Sequence, residues 1–168
     1  MRLIGMLLPA ALPLALLASA AACSQGGPGA AATAAAPAEP AVHPESGLPI
    51  IPLRVKSGGK WHKFRVEVAS TPQQQSKGLM FRTALGADEG MLFVQNPPRR
   101  TAFWMRNTVI PLDIIYIGPD HRVLNIAANA VPYDETPLPA AGPSSGVLEL
   151  NGGRAAQLGI VPGDRVEW

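Results

Sequence analysis

Two carboxylates set among branched aliphatic residues are the groups in this sequence with the clearest capacity for chemistry. Asp113 stands in the run Phe103-Trp104-Met105-Arg106-Asn107-Thr108-Val109-Ile110-Pro111-Leu112-Asp113-Ile114-Ile115-Tyr116-Ile117, and Glu149 lies between Leu148 and Leu150. An ionised acid in such surroundings is costly to desolvate unless a cation or several hydrogen-bond donors meet it. Arg82 and Arg106 are the cations to consider, and Asn107 and Thr108 the neutral donors. Together Arg82, Trp104, Arg106, Asn107, Asp113 and Glu149 outline a ligand-binding patch, a few polar groups within apolar walls. Strand alternation could instead send both acids to solvent, or one acid could form a buried ion pair that fixes register. Two carboxylates also suit acid/base cleavage of glycosidic bonds, if their spatial separation fits.

Other chemistry-bearing residues are weaker candidates. Ser144-Ser145-Gly146 is no nucleophile elbow and reads as a loop. Gly152-Gly153 ahead of a short helix could offer amide donors to an anion, but no phosphate-loop lysine follows, so a plain turn is expected. His43, His62 and His121 lack ligand spacing, so no metal and no cofactor is assigned. Met80, Met91 and Met105 read as core filler, with copper(I) thioether ligation a remote alternative.

These residues must be carried by a domain that begins well inside the chain. The leading 47 of 168 residues hold 15 alanines, which inflates the 47% hydrophobic content. Arg2, the apolar stretch Leu3 to Leu17 and the small residues Ala18 to Ala22 have the layout of a secretory signal peptide, interrupted by Pro9 and Pro13 and too short for a comfortable membrane span. Small residues before the lone Cys23 resemble a bacterial lipobox, although Ala20 occupies the usual Leu position. Lipidation of Cys23, with residues 1–22 removed, is the expectation; cleavage after Ala20-Ala21-Ala22 is the alternative. The expected location is the periplasmic or cell-envelope face of a membrane, the outer membrane in a diderm host because Ser24 follows the cysteine.

Residues 24–47 contain 8 Ala, 4 Pro and 4 Gly without periodicity, so residues 23–47 are expected to form the anchor and a disordered tether. At about 3.1 Å per residue, an extended tether reaches on the order of 70 Å. The net charge of +2 falls to 13 − 12 = +1 once Arg2 is removed. With 15% charged residues and no basic cluster, nucleic acid is not an expected partner.

The domain itself spans residues 48–168. Runs 50–56 and 61–69, separated by Ser57-Gly58-Gly59-Lys60, predict a hairpin, and Phe64, Val66 and Val68 alternate with charged residues. Ser70-Thr71-Pro72 opens a short helix that Gly78 stops. Further strands are expected over 91–95, 102–107, 112–117, 122–130, 147–150 and 164–168, with a second helix over 154–158. The pattern predicts a mainly-β sandwich or jelly-roll-like barrel with two short helices.

The ordered blocks Gly78-Leu79-Met80-Phe81-Arg82, Glu89-Gly90-Met91-Leu92-Phe93, FWMRNTVIPLDIIYI, Val131-Pro132, VLELNGG and Gly163-Asp164-Arg165-Val166 resemble the family known as domain of unknown function 192, or uncharacterised protein family 0127. The resemblance covers roughly residues 50–168. It implies a compact, mainly-β, jelly-roll-like domain that is often exported, and no established activity. Where the family commonly has Lys after its Trp-Met pair, this chain has Arg106, which would preserve a bidentate carboxylate contact. The expected function is noncatalytic binding of a small molecule, a glycan or an envelope protein by a lipid-anchored domain. The alternatives are an envelope-polymer hydrolase using Asp113 and Glu149, and a structural or assembly role.

Overall fold

The hairpin forms as its sequence dictates. Strands β1 (Ile50–Ser57) and β2 (Lys60–Ala69) pair antiparallel with Ser57 opposite Lys60. Gly58 and Gly59 hold φ of +54° and +78°, the left-handed values that a two-residue turn between twisted strands requires. The computed structural model describes residues 41–168; the expected signal peptide, Cys23 and residues 23–40 of the expected tether lie outside the described residues.

Helix α1 (Pro72–Lys77) is opened by a capping box in which Thr71 accepts from Gln74 N–H and the Gln74 side chain returns to the Thr71 amide. It carries the chain over to β3 (Glu89–Arg99), which runs parallel to β2. The remaining elements are β4 (Ala102–Phe103), β5 (Leu112–Ile117), β6 (Val123–Ala130), β7 (Leu138–Pro139), β8 (Ser144–Asn151), α2 (Arg154–Leu158) and β9 (Arg165–Glu167). The fold is mainly β with two short helices, built on a curled seven-stranded sheet that forms a half-barrel. Its strand order is β6-β5-β8-β3-β2-β1-β9, with β4 and β7 paired separately. The curl brings the two ends of the sheet together: Val123 N–H donates to Asp164 C=O (2.9 Å) and Val166 N–H to His121 C=O (2.8 Å).

Both faces are covered along the central strands β3, β8 and β5, whereas one face of β1, with Pro52, Arg54 and Lys56, is exposed. Leu53, Phe64, Leu92, Ile115, Leu148 and Val166 pack on the concave face, while Met91, Phe93, Leu112, Ile114, Tyr116 and Val147 pack on the other. Every residue of β5 is therefore buried, and its alternation separates one interior from another rather than interior from solvent. Among the described residues no helix is long and apolar enough to cross a membrane.

Several boundaries differ from the sequence expectation, among them β3, expected over 91–95 and observed over Glu89–Arg99. The strand expected over 102–107 ends at Phe103, because Thr108 N–H turns back to Met105 C=O and Asn107 takes φ +53°. β8 begins at Ser144, so Ser144-Ser145-Gly146 is strand rather than loop. The two-residue β7 has too little pattern to announce itself. Residues 41–47, expected in the tether, are folded onto the domain: Val42 bridges Pro49, Ile50 N–H donates to Ala41 C=O (2.9 Å), and Glu45 pairs with Arg82.

Asp113 fastens three elements at once. Its side chain is fully buried and accepts from Asn129 N–H (2.8 Å), Gly153 N–H (3.0 Å) and Ala155 N–H (2.7 Å). The first amide is set free where the register of β6 against β5 slips between Leu112 and Ile114. The other two belong to the start of α2, whose capping residue Gly153, at φ +81°, supplies no side-chain acceptor of its own. Asp113 thus serves as a cap delivered from a neighbouring strand. Replacing one oxygen by an NH2 group sets donor against donor, so Asp113→Asn should lower stability by about 3 kcal/mol in urea unfolding, with unchanged secondary structure at low denaturant.

Candidate functional site

A concavity lies between α1, the end of β3, the loop after β4 and the face of β8 that carries Glu149. It has a volume of about 340 Å3. Phe93 and Glu149 form its floor, Phe103 and Trp104 a wall, and Lys77 and Arg106 are exposed at its mouth. Phe103 packs edge-on against Phe93 with ring centroids 4.9 Å apart, which fixes the aromatic wall.

Glu149 occupies this floor because of strand register. Its cross-strand neighbours are Met91 on β3 and Ile114 on β5, so neither side offers a cation or a donor. The residue is 4% exposed, and its carboxyl has no hydrogen-bond or ion-pair partner among the described residues. Burial pushes its pKa up from 4.5 to about 8. At neutral pH the group is therefore mainly a protonated acid, a donor facing a cavity. Tyr116, on the same face of the sheet, is also pushed above its ordinary value, chiefly by burial and to a lesser extent by Glu149. Its hydroxyl donates to Leu138 C=O.

The rest of the pocket is held by polar bonds that leave little freedom. The Gln75 side-chain amide donates to Val94 C=O (2.8 Å) and Ala69 C=O (3.2 Å), pinning α1 to β2 and β3. Arg99 donates to the Gln95 and Gln75 side-chain carbonyls. Trp104, 50% exposed, projects from a cross-bonded loop cluster. Phe81 N–H donates to Asn107 C=O (2.8 Å), Met105 N–H to Asp134 C=O (2.8 Å) and Tyr133 N–H to Met105 C=O (3.1 Å). Phe81, Asn107 and Tyr133 all have φ between +53° and +65°, a strained conformation that these bonds maintain.

The pocket brings together three of the six expected patch residues, Trp104, Arg106 and Glu149, and leaves out Arg82, Asn107 and Asp113. Arg82 is buried beneath the N-terminal segment. Its guanidinium donates to both oxygens of Glu67 (2.9 Å each), its Nε lies 3.1 Å from Glu45, and the His43 ring nitrogens lie 3.4 Å from it. Asn107 holds the loop cluster through its carbonyl and its side-chain contact with Met80 Sδ. Neither arginine meets Asp113, which is satisfied by backbone amides, and Arg106 makes no carboxylate contact among the described residues.

The expected carboxylate pair is likewise absent. Asp113 lies opposite Leu150 and Glu149 opposite Ile114, so the two acids project from opposite faces of the sheet. They open onto no common cleft, which removes the hydrolase reading that needs both. The Gly153 amide does hold a carboxyl group, together with the Ala155 amide, but it is the Asp113 side chain, while the Gly152 amide donates to Pro111 C=O. Among the described residues no three His, Cys, Asp or Glu side chains are near enough to share a metal ion. Sequence reasoning passed over Lys77, Gln75, Gln95 and Arg99, whose common location depends on the β2-α1-β3 crossover.

The family DUF192, described as "Uncharacterized ACR", matches residues 53–168. The chain belongs to this family. A DUF192-like crystal structure of a protein of unknown function from Novosphingobium aromaticivorans DSM 12444 superposes with a TM-score of 0.76 at 66% identity, covering 85% of this chain and 100% of that one. A Sinorhizobium meliloti 1021 protein described as a candidate transcription regulator superposes with a TM-score of 0.70 at 39% identity, covering 71% of this chain and 94% of that one. No curated protein matches the chain.

The raised pKa of Glu149 makes the stability of this DUF192 domain depend on pH with a definite sign. The folded state keeps the proton up to about 8 and the unfolded chain releases it near 4.5, so between those values the folded state binds more protons. Stability from this group is full below about 4.5, falls as pH rises to about 8, and is level above. Glu149→Gln should remove that slope and leave the variant more stable than the parent at pH 8 by about 2 kcal/mol or more, read from urea unfolding at a series of pH values.

Proposed function

We propose that this DUF192 protein is an exported, membrane-tethered and noncatalytic binding protein that holds a small organic molecule in the pocket floored by Glu149. The observation that carries the reading is a buried carboxyl with no described partner, facing a cavity of about 340 Å3 with an exposed Trp104 at its wall. A carboxyl set in an apolar floor and open only to the cavity is poorly solvated, which costs stability. A ligand that accepts a hydrogen bond from it offsets that cost, and the volume falls in the range of small-molecule sites. The strained but cross-bonded loops around Trp104 support the same reading, since a rigid wall limits the entropy lost on binding.

Export and tethering rest on the leader from Arg2 to Ala22 and on Cys23. Acyl chains there would contribute about 0.8 kcal/mol per buried methylene and hold the domain at the envelope face of a membrane, the outer membrane in a diderm host. A net charge of +2 with 15% charged residues gives little field for phosphates, which argues against nucleic acid as a partner.

Protein-observed NMR with a fragment library tests the pocket. Fragments should perturb Trp104 and Phe93 resonances and bind at least about tenfold more weakly to Trp104→Ala, the loss of roughly 1.4 kcal/mol; a library with no hit in the pocket contradicts the reading. Mass spectrometry of the protein recovered from membranes tests the tether. The mature chain should begin at an acylated Cys23, and an unmodified chain, whether it begins at Cys23 or after it, contradicts the tether.

A further inference from the structure

The charges around the pocket select among ligands. Lys77 and Arg106 stand exposed at its mouth, Arg99 lines it further along, and Glu149 is the one acid in its lining. Lys77 and Arg106 have no ion-pair partner among the described residues. Three cations around one opening set up a positive potential that its apolar walls concentrate. The floor does not cancel it, because Glu149 between Met91 and Ile114 is favoured in its neutral form.

A cationic ligand entering this pocket would have to pass the three basic side chains. It would gain a counter-charge only by ionising Glu149 in an apolar setting, which is costly. An anionic ligand meets the opposite conditions. Its charged group finds Arg106 and Lys77 at the mouth, its apolar body finds Phe93, Phe103 and Trp104, and an oxygen at its far end finds the acid proton of Glu149. The polar groups at floor and mouth are separated by the aromatic wall, so the ligand needs its two polar ends apart.

We infer that the pocket takes a small organic anion with a flat apolar body, its negative group held at the mouth by Arg106 and Lys77 and its opposite oxygen bonded to Glu149. This inference rests on the pocket reading above and adds the sign of the ligand's charge and its orientation.

Three probes of matched shape decide it: 4-hydroxyphenylacetate, its neutral amide 4-hydroxyphenylacetamide, and the cation tyramine, titrated at pH 6.5 and low salt against the full mature protein while Trp104 and Phe93 resonances are followed. The anion should bind at least tenfold more tightly than tyramine, with the amide between them. The double variant Lys77→Gln/Arg106→Gln, altered only at exposed positions, should lose that preference while still binding the amide. Glu149→Gln, which keeps a donor, should retain the anion preference, and Glu149→Leu should weaken all three probes. Equal or tighter binding of tyramine overturns the anion inference and leaves the pocket reading standing. An anion preference that survives in the double variant overturns the assignment of Arg106 and Lys77. If no probe moves either aromatic resonance, the pocket reading itself fails.

Discussion

Strands covered on both faces have no solvent side to which an acid can be sent, so each acid that β5 and β8 carry must be met from within or left at a cost. Asp113 and Glu149 occupy neighbouring positions on β5 and β8 but meet this constraint in opposite ways, because register points them to different interiors. Asp113 faces the concave side, where a register slip in β6 and the start of α2 release three amides within reach of its oxygens. Glu149 faces the other side, between Met91 and Ile114, where the ladders are regular and every nearby amide is already engaged. One acid becomes a structural fastening. The other becomes a neutral donor at the floor of a cavity.

The cavity exists because of the elements laid over that second face. The β2-α1-β3 crossover puts α1 at one side, held by Gln75, and the loop after β4 puts Trp104 at another. That loop is held by bonds to residues 81, 133 and 134 instead of by strand pairing, and the left-handed backbone at Phe81, Asn107 and Tyr133 follows from the tight turns these bonds demand. The N-terminal segment is fastened separately. Residues 41–47 lie over the Arg82–Glu67 pair, where the arginine serves a buried carboxylate, an exposed one and the His43 ring together. Arg82 is thus committed to the fold, and the charge available to a ligand comes from Lys77, Arg99 and Arg106.

Much of the fold was legible in sequence. Gly58-Gly59 between alternating runs, Thr71-Pro72 before a polar helix, and Pro or Gly between branched runs marked β1, β2, α1, β5, β6 and α2 close to their observed limits. The ends of β3 and β4 were not legible, since they depend on non-local pairing with β8 and on a turn at Asn107. The demand that Asp113 and Glu149 find partners was readable from their apolar neighbours. Which partners they have was not, because backbone amides leave no trace in side-chain types. Opposite faces also cannot be assigned to two strands without their register. Of the candidate residues, Trp104, Arg106 and Glu149 share the pocket, whereas Arg82, Asn107 and Asp113 are taken up by the scaffold.

The central claim is that Glu149 is a buried acid without an internal partner, mainly neutral near pH 7. A 13C NMR titration of the Glu149 side-chain carboxyl, assigned by comparison with Glu149→Gln, reads this directly. The account predicts a midpoint near 8, well above the ordinary 4.5 of a glutamate. A midpoint near 4.5 would mean that the carboxylate is solvated or paired in solution, and would contradict both the neutral floor of the pocket and the ligand chemistry built on it.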